Sequence, residues 1–322
     1  MKDRGTPLAA MLGAGLLSVS LTACGTDGAL EPGGPDSQIE SVLDVAAAFY
    51  PLEFALEQIG GERLSITSLT QPGAEPHDVE LTPRQVAQLA NADLVVYLQH
   101  FQPAVDDAVA SVATGSSLDV SPAADLTLTA ADHGHEHGDE EDREAEGSGA
   151  VDPHFWLDPT RYASVADAIR DRLIELDPEG ADQYSAAAAA FTQALTELDE
   201  EFSSTLQQCR HRDLVTGHAA FGYLADRYDL HQVAIAGLTP DDEPTAAQLR
   251  NLVAHVRESG VSTVYAETLA NPAVTETVAR EAGVEVRTLD PLEGLTESSA
   301  GDDYFEVMRA NLEVLRVGQE CS

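Results

Sequence analysis

From Ser41 to the end of the chain, short strand-like runs alternate with longer helical ones, and few folds accept that order. SVLDVAA reads as a strand, PLEFALEQIGG as a helix stopped by glycine, LSITSL as a strand, TPRQVAQLANA as a helix and DLVVYL as a strand. Strands separated by helices pair in parallel, because the crossover helix returns the chain to the same end of the sheet. The alternation resumes after Cys209 with DLVT, HAAFGYLADRYD, HQVAIAG, PTAAQLRNLVAHVRESG, VSTVYAE, PAVTETVAREAG, VEVRTLD and a closing helix through YFEVMRANLEVLR. Between the two runs, PTRYASVADAIRDRLIELDP has helical spacing. A second helical stretch begins near Glu179 and continues through ADQYSAAAAAFTQALTELDEEFSSTLQQ without Gly or Pro. It is long enough for about thirty residues, or ~45 Å, which suits a strut between two bodies. The expectation is therefore α/β: two parallel-sheet lobes, residues 39–178 and 209–322, joined by one long rigid helix over 179–208. Around Gly115 to Gly149 the period is lost, so an exposed loop is expected there, with a His-rich acidic part at 130–149.

The first 23 residues have a different character. Lys2 and Arg4 precede the apolar run LAAMLGAGLLSVSL, which has the length of a signal peptide and is short for a permanent span. LTAC, ending at Cys24, looks like a bacterial lipobox, in which the thiol takes a lipid and becomes the new N-terminus. Residues 24–38, rich in Gly, Pro and Asp, suit a flexible tether. The chain is expected to be extracytoplasmic and lipid-anchored to the cell membrane.

Charge limits what such a chain binds. The formal net charge is −39, and removal of Lys2, Asp3 and Arg4 with the leader makes it −40 and leaves no lysine. A polyanion of this kind repels nucleic acid and anionic headgroups, so membrane attachment falls to the lipid alone. With Cys24 lipidated, Cys209 and Cys321 remain as an even pair in an oxidising compartment, and a disulfide between them is expected.

Four candidate metal ligands occupy equivalent places in the pattern. His77 follows the strand LSITSL, His218 lies between DLVT and its helix, Asp290 ends VEVRTLD, and His154 stands just beyond the polar loop in VDPHFWLDP. Ligands of open α/β sheets bind outside the carboxyl ends of the strands, so these side chains can converge in one interlobe cleft. Three imidazoles and a carboxylate suit tetrahedral Zn²⁺. Taken singly, each histidine also reads as an ordinary turn or capping residue.

The chain resembles the ZnuA-like solute-binding lipoproteins of zinc ABC transporters, within a wider metal-receptor cluster that includes manganese receptors. The resemblance rests on GAEPHDVELTP, ADLVVYL, DPHFWLDP, VTGHAAFGYLADRYDL, GLTPDDEPTAAQL and TLDPLEG in that order, and covers most of residues 39–322. It implies His77, His154, His218 and Asp290 as the ligands, and Zn²⁺ as the cargo of a monomeric receptor that passes it to an ABC permease. Glu267, at the end of VSTVYAE, could line the site or replace a water but is expected to support the ligands, and Glu75, before the PHD tripeptide, stands beside them and could reach the metal in some states. His100 departs from the small residue expected at its place and should be exposed, as should His211, His231 and His255.

His133, His135 and His137 in DHGHEHGDEEDRE lie between the first two histidine ligands, where the zinc branch of the family carries similar loops. Glycines and acidic neighbours disfavour a rigid closed site there, so the loop reads as an accessory that gathers Zn²⁺. It is not the HExxH of a metalloprotease. A zinc hydrolase would need an open coordination position and a general base, and neither stands out, so no enzymatic activity is expected. An adhesin would leave the converging ligands unexplained. The stronger rival is a manganese receptor, which would favour more oxygen donors than His218 allows.

Overall fold

The computed structural model describes residues 42–129, 149–241 and 244–322. The leader, Cys24, the tether and His133, His135 and His137 lie outside those residues. Two four-stranded parallel sheets form two lobes of an α/β fold. The first sheet contains β1 (Leu43–Ala47), β2 (Leu64–Ser68), β3 (Leu94–Tyr97) and β4 (Ser117–Asp119) in the order β2-β1-β3-β4. The second contains β5 (Asp213–Thr216), β6 (His231–Ala234), β7 (Thr263–Glu267) and β8 (Glu285–Leu289) in the order β6-β5-β7-β8. The order is the same in both lobes. In each, the chain turns from one side of its first strand to the other, and that reversal opens a crevice at the carboxyl ends.

The helices form where the sequence caps them. In α2 (Pro83–Leu89), Thr82 and Gln85 make a reciprocal capping box with Pro83 at the first turn. Thr245 and Gln248 do the same for α8 (Ala246–Ser259). The remaining helices of the first lobe are α1 (Tyr50–Gly60), α3 (Pro103–Ala108), α4 (Ser121–Ala124) and α5 (Pro159–Leu176). The second lobe adds α7 (Gly222–Arg227), α9 (Ala273–Ala282) and α10 (Tyr304–Gly318).

Between the lobes runs α6 (Ala181–Leu206), 26 residues and thus about 39 Å long. Its buried residues are Tyr184, Ala188, Phe191, Leu195, Leu198, Phe202 and Leu206, one stripe at helical spacing. That stripe packs on α1, α5 and α10. Phe54, Tyr162, Phe191 and Tyr304 meet there with ring centroids 4.9–5.9 Å apart. One hydrophobic core therefore continues across both lobes, and a second, smaller one lies under α8 and α9. Glu179 belongs to a separate turn, Pro178–Gly180, so the helix starts two residues later than the sequence suggested.

The stretch expected to be an exposed loop from Gly115 is in part ordered structure. β4 and α4 occupy Ser117–Ala124, and Thr129 bridges Val151 across the base of the segment between them. A three-residue edge strand is too short to show periodicity; its place is set by pairing with β3. Cys209 and Cys321 are joined by a disulfide. Among the described residues, no helix is long and apolar enough to cross a membrane.

A buried ion pair fixes the junction that leads into α6. Arg63 Nε donates to Asp177 Oδ2 at 2.7 Å, Tyr184 Oη donates to the same oxygen at 2.7 Å, and both charged side chains are about 95% covered. Burial alone would raise the Asp177 carboxyl, but the hydrogen bonds from Tyr184 and Arg63 and the guanidinium charge hold it below its ordinary value. Removing one partner of a buried pair strands the other. Arg63→Ala is expected to cost about 3 kcal/mol in urea unfolding at pH 7, the low end of the range for such pairs because Tyr184 still serves the carboxylate. A group whose folded value is depressed stabilises above its unfolded value and loses that contribution as pH falls through the folded one. The gap between variant and parent should therefore narrow below about pH 4.

Candidate metal centre

The carboxyl ends of both sheets carry the polar groups. After β2 the chain forms the segment that holds His77. Thr70 Oγ1 donates to Ala48 O at 2.8 Å, and Gln102, buried after β3, donates from Nε2 to Thr70 Oγ1 at 3.0 Å and to Pro76 O at 3.1 Å. These bonds tie the residue before His77 to the ends of β1 and β3. Phe101 packs edge-on against the His77 ring, with centroids 4.7 Å apart.

His154 comes from the turn between Val151 and the short 3-10 helix Phe155–Leu157. Asp152 Oδ1 accepts from His154 N at 2.9 Å and lies 2.7 Å from Nδ1. With Nδ1 so engaged, the neutral ring presents the lone pair of Nε2. Trp156 Nε1 donates to Pro291 O at 2.8 Å, joining this turn to the loop after β8.

His218 follows β5, where the order of the second sheet reverses. Glu267, at the end of the neighbouring β7, accepts from His218 N through Oε1 at 2.9 Å and pairs through Oε2 with Nδ1. Gly217 makes this approach possible, since a Cβ there would stand 3.1 Å from Glu267 Oε1. The helix after His218 begins only at Gly222, so the histidine sits in irregular chain rather than in a helical first turn.

The three Nε2 atoms converge on a fourth donor. Glu293 Oε1 lies 3.3 Å from His77 Nε2, 2.9 Å from His154 Nε2 and 3.1 Å from His218 Nε2. His77, His154, His218 and Glu293 offer ligand atoms all within 4.8 Å of one another, and this is the metal-competent group found among the described residues. Donors around a tetrahedral Zn²⁺ at ~2.0–2.1 Å stand about 3.3 Å apart, close to these separations.

Asp290 is not in the group. Its Oδ1 accepts from Leu292 N at 2.8 Å and its Oδ2 accepts from Ser299 Oγ at 2.7 Å, while its own N donates to Asn311 Oδ1. The short carboxylate closes a turn at Asp-Pro, Leu292 takes a positive φ of 57°, and Glu293 is carried inward. The sequence showed that a turn starts here, because Asp before Pro is a turn initiator, and that a second carboxylate follows three residues later, but not which of the two the turn consumes.

Asp152 was missed in the same way. Glu75-Pro76-His77 and Asp152-Pro153-His154 repeat one pattern, in which the acid two residues back accepts the backbone N–H of the histidine. Glu75 Oε1 is 4.0 Å from His77 Nε2, outside the four-donor group. His100 is 84% exposed. His231 is mostly exposed and His255 partly so, but the His211 side chain is largely covered beside Glu320.

The electrostatics follow from burying these groups together. Burial would raise the Glu293 carboxyl, but His218, His154 and His77 hold it well below its usual range. Burial would lower His218 and His154, yet Glu267 and Glu293 lift the first well above its ordinary value, and Asp152 with Glu293 lifts the second. For His77 burial prevails and the value falls. Glu75 is pushed up to about 7 by burial and by the charge of Glu293. A divalent cation at the centre would take the place of protons on Nε2. Asp152→Asn is expected to weaken metal binding 10–100-fold, since it loosens the ring rather than removing a donor. A chelator-competition titration of the variant checks this, and an unchanged affinity would count against the role.

A model of the family described as zinc-uptake complex component A, periplasmic, matches residues 45–318. The zinc-binding protein AdcA of Streptococcus pyogenes is 37% identical over 289 residues, 86% of this chain and 56% of its own length. The chain thus spans little more than half of that relative. The high-affinity zinc uptake system protein ZnuA of Bacillus subtilis is 33% identical, with 92% of both chains covered. The Zn(II)-bound ZnuA-like domain of Streptococcus pneumoniae AdcA superposes with a TM-score of 0.68 at 32% identity, covering 87% of this chain and 99% of that one.

Proposed function

The chain belongs to the ZnuA family of zinc-uptake components, and on that premise we propose that it is an extracytoplasmic receptor that captures Zn²⁺ and delivers it to an ABC permease. The observation that carries this reading is the convergence of three imidazole Nε2 atoms and one carboxylate oxygen in a buried cleft. Three nitrogens and one oxygen suit zinc better than manganese, which favours oxygen. Four protein donors leave no open position for an activated water, which favours a receptor over a hydrolase.

The division of the donors suggests how cargo is released. His77 and His154 come from the first lobe, and His218 and Glu293 from the second. A small separation of the lobes splits the set two and two, and neither half alone holds zinc tightly. The imidazoles of His133, His135 and His137 supply weak additional capacity, and a lipid on Cys24 keeps the monomer at the membrane, where the permease is.

The test is direct competition. Chelator-stripped protein offered equal Zn²⁺ and Mn²⁺ should retain one tightly held Zn²⁺ per chain after dialysis. Retention of manganese in preference would turn the reading to a manganese receptor, and retention of neither would overturn it.

A further inference from the structure

One buried hydroxyl joins the two lobes beside the metal centre. Tyr223 is the second residue of α7, follows His218 by five positions and is 1% exposed. Its Oη makes three hydrogen bonds, each to backbone of the first lobe. It accepts from Thr127 N at 3.1 Å and from Leu128 N at 3.3 Å, and it donates to Asp152 O at 3.2 Å. A phenol has one proton to give and two lone pairs to offer, so these bonds use its whole capacity.

The first-lobe groups are held in place around it. Leu128 O accepts from Asp152 N at 2.9 Å, which pairs the two chain segments that the hydroxyl spans. Arg161, from α5, donates to Ala124 O at 3.0 Å, to Asp125 O and to Thr127 Oγ1 at 3.2 Å, and its guanidinium carbon stands 4.6 Å from the centroid of the Tyr223 ring. The ring is thus seated on a cation and its tip on three backbone groups.

Asp152 links this contact to the ligands. Its side chain accepts from His154 N and engages His154 Nδ1, and its carbonyl is the one that Tyr223 takes. One short path therefore runs from His154 through Asp152 and Tyr223 to the segment of His218, and it crosses from lobe to lobe. The rings of His154 and His218 have centroids 5.4 Å apart. A ligand imidazole is placed only as firmly as the groups that orient it.

We propose, resting on the receptor reading above, that Tyr223 is a positioning residue for zinc retention: its hydroxyl latches the lobes together and fixes Asp152, and through it His154, in the geometry that closes the site. Capture and release then respond differently. Lobes that part to free the ion must break the three bonds of the latch, whereas an ion entering an open cleft meets its ligands before the latch forms. The latch therefore governs departure more than arrival.

The experiment compares Tyr223→Phe with the parent in stopped-flow zinc uptake and in zinc release to excess chelator. Release from the variant should quicken about tenfold, the effect of about one net buried hydrogen bond lost from the closed form, while uptake stays within about twofold. Tyr265→Phe controls for ordinary destabilisation, because it removes another buried phenol hydroxyl, which donates to Gln319 Oε1 at 2.9 Å within the second lobe. It should release zinc at the parent's rate. Equal acceleration in both variants would overturn the latch, as would an unchanged rate in Tyr223→Phe. With Co²⁺ in place of zinc, the visible ligand-field band should shift in Tyr223→Phe and stay in Tyr265→Phe, because only the first loosens His154; a band that stays in both would refute the positioning role. In the parent itself, the amides of Thr127 and Leu128 should exchange with solvent more slowly when zinc is bound, and equal exchange would refute a latch that opens with the lobes. A parent that retains no zinc would overturn the receptor reading and the latch together, whereas a parent that retains it while Tyr223→Phe releases it no faster overturns the latch alone.

Discussion

Glu293→Ala lowers zinc affinity by about 100-fold or more, whereas Asp290→Asn lowers it by less than about tenfold. The first figure follows from dividing the ~10–16 kcal/mol of a four-donor zinc site among its donors, about 3 kcal/mol each, against 1.4 kcal/mol per tenfold. Glu293 is fully buried and its Oε1 faces all three Nε2 atoms, so its loss opens one vertex of the tetrahedron. Asp290 works on the turn instead. An asparagine there keeps one oxygen to accept from Leu292 N, and its amide meets a Ser299 hydroxyl that also accepts. The readout is competition against a chelator of known zinc affinity. If the two losses exchange places, Asp290 is the ligand and Glu293 the support.

Breaking the Cys209–Cys321 disulfide has the largest effect expected on stability alone. The bond spans 112 residues of sequence, and closing a loop of that size removes roughly 4–5 kcal/mol of unfolded-state entropy in the chain-entropy model. It ties the exit of α6 to the end of the chain, where Ser322 N donates to Gln208 O and Arg210 N donates to Gln319 O. A Cys209→Ser/Cys321→Ser variant should therefore unfold at distinctly lower urea, with a Tm about 10 °C lower. Its tight zinc affinity should be unchanged, because the cleft lies at the opposite ends of the strands. A midpoint within experimental error of the parent would refute the estimate, and a parallel loss of zinc affinity would refute the separation.

The fold was legible because it rests on local signals repeated along the chain. Glycine after α1, the Thr82–Gln85 and Thr245–Gln248 capping boxes and the alternation of strand with helix each act within a few residues. β4 escaped because three residues carry no period and only the neighbour β3 makes them a strand. His77 and His218 stood out after strands, and His154 just beyond the polar loop. Asp152 and Glu293 did not, because which carboxylate of a turn faces the cleft depends on which one the turn itself consumes.

Residue types and their spacing thus determined two parallel α/β lobes, a long helix between them, two imidazoles beyond the carboxyl ends of strands and a third just past the polar loop. Those are consequences of hydrophobic period and capping, and both are short-ranged along the chain. Folding alone decided the fourth donor. Asp290 and Glu293 are three residues apart, and either carboxylate is chemically able to hold a metal. Ser299, Leu292 N and Asn311 claim the first, and the pull of Trp156 on Pro291 O sets the loop that presents the second. Contacts between residues tens of positions apart depend on the path of the whole chain, and no local pattern encodes them.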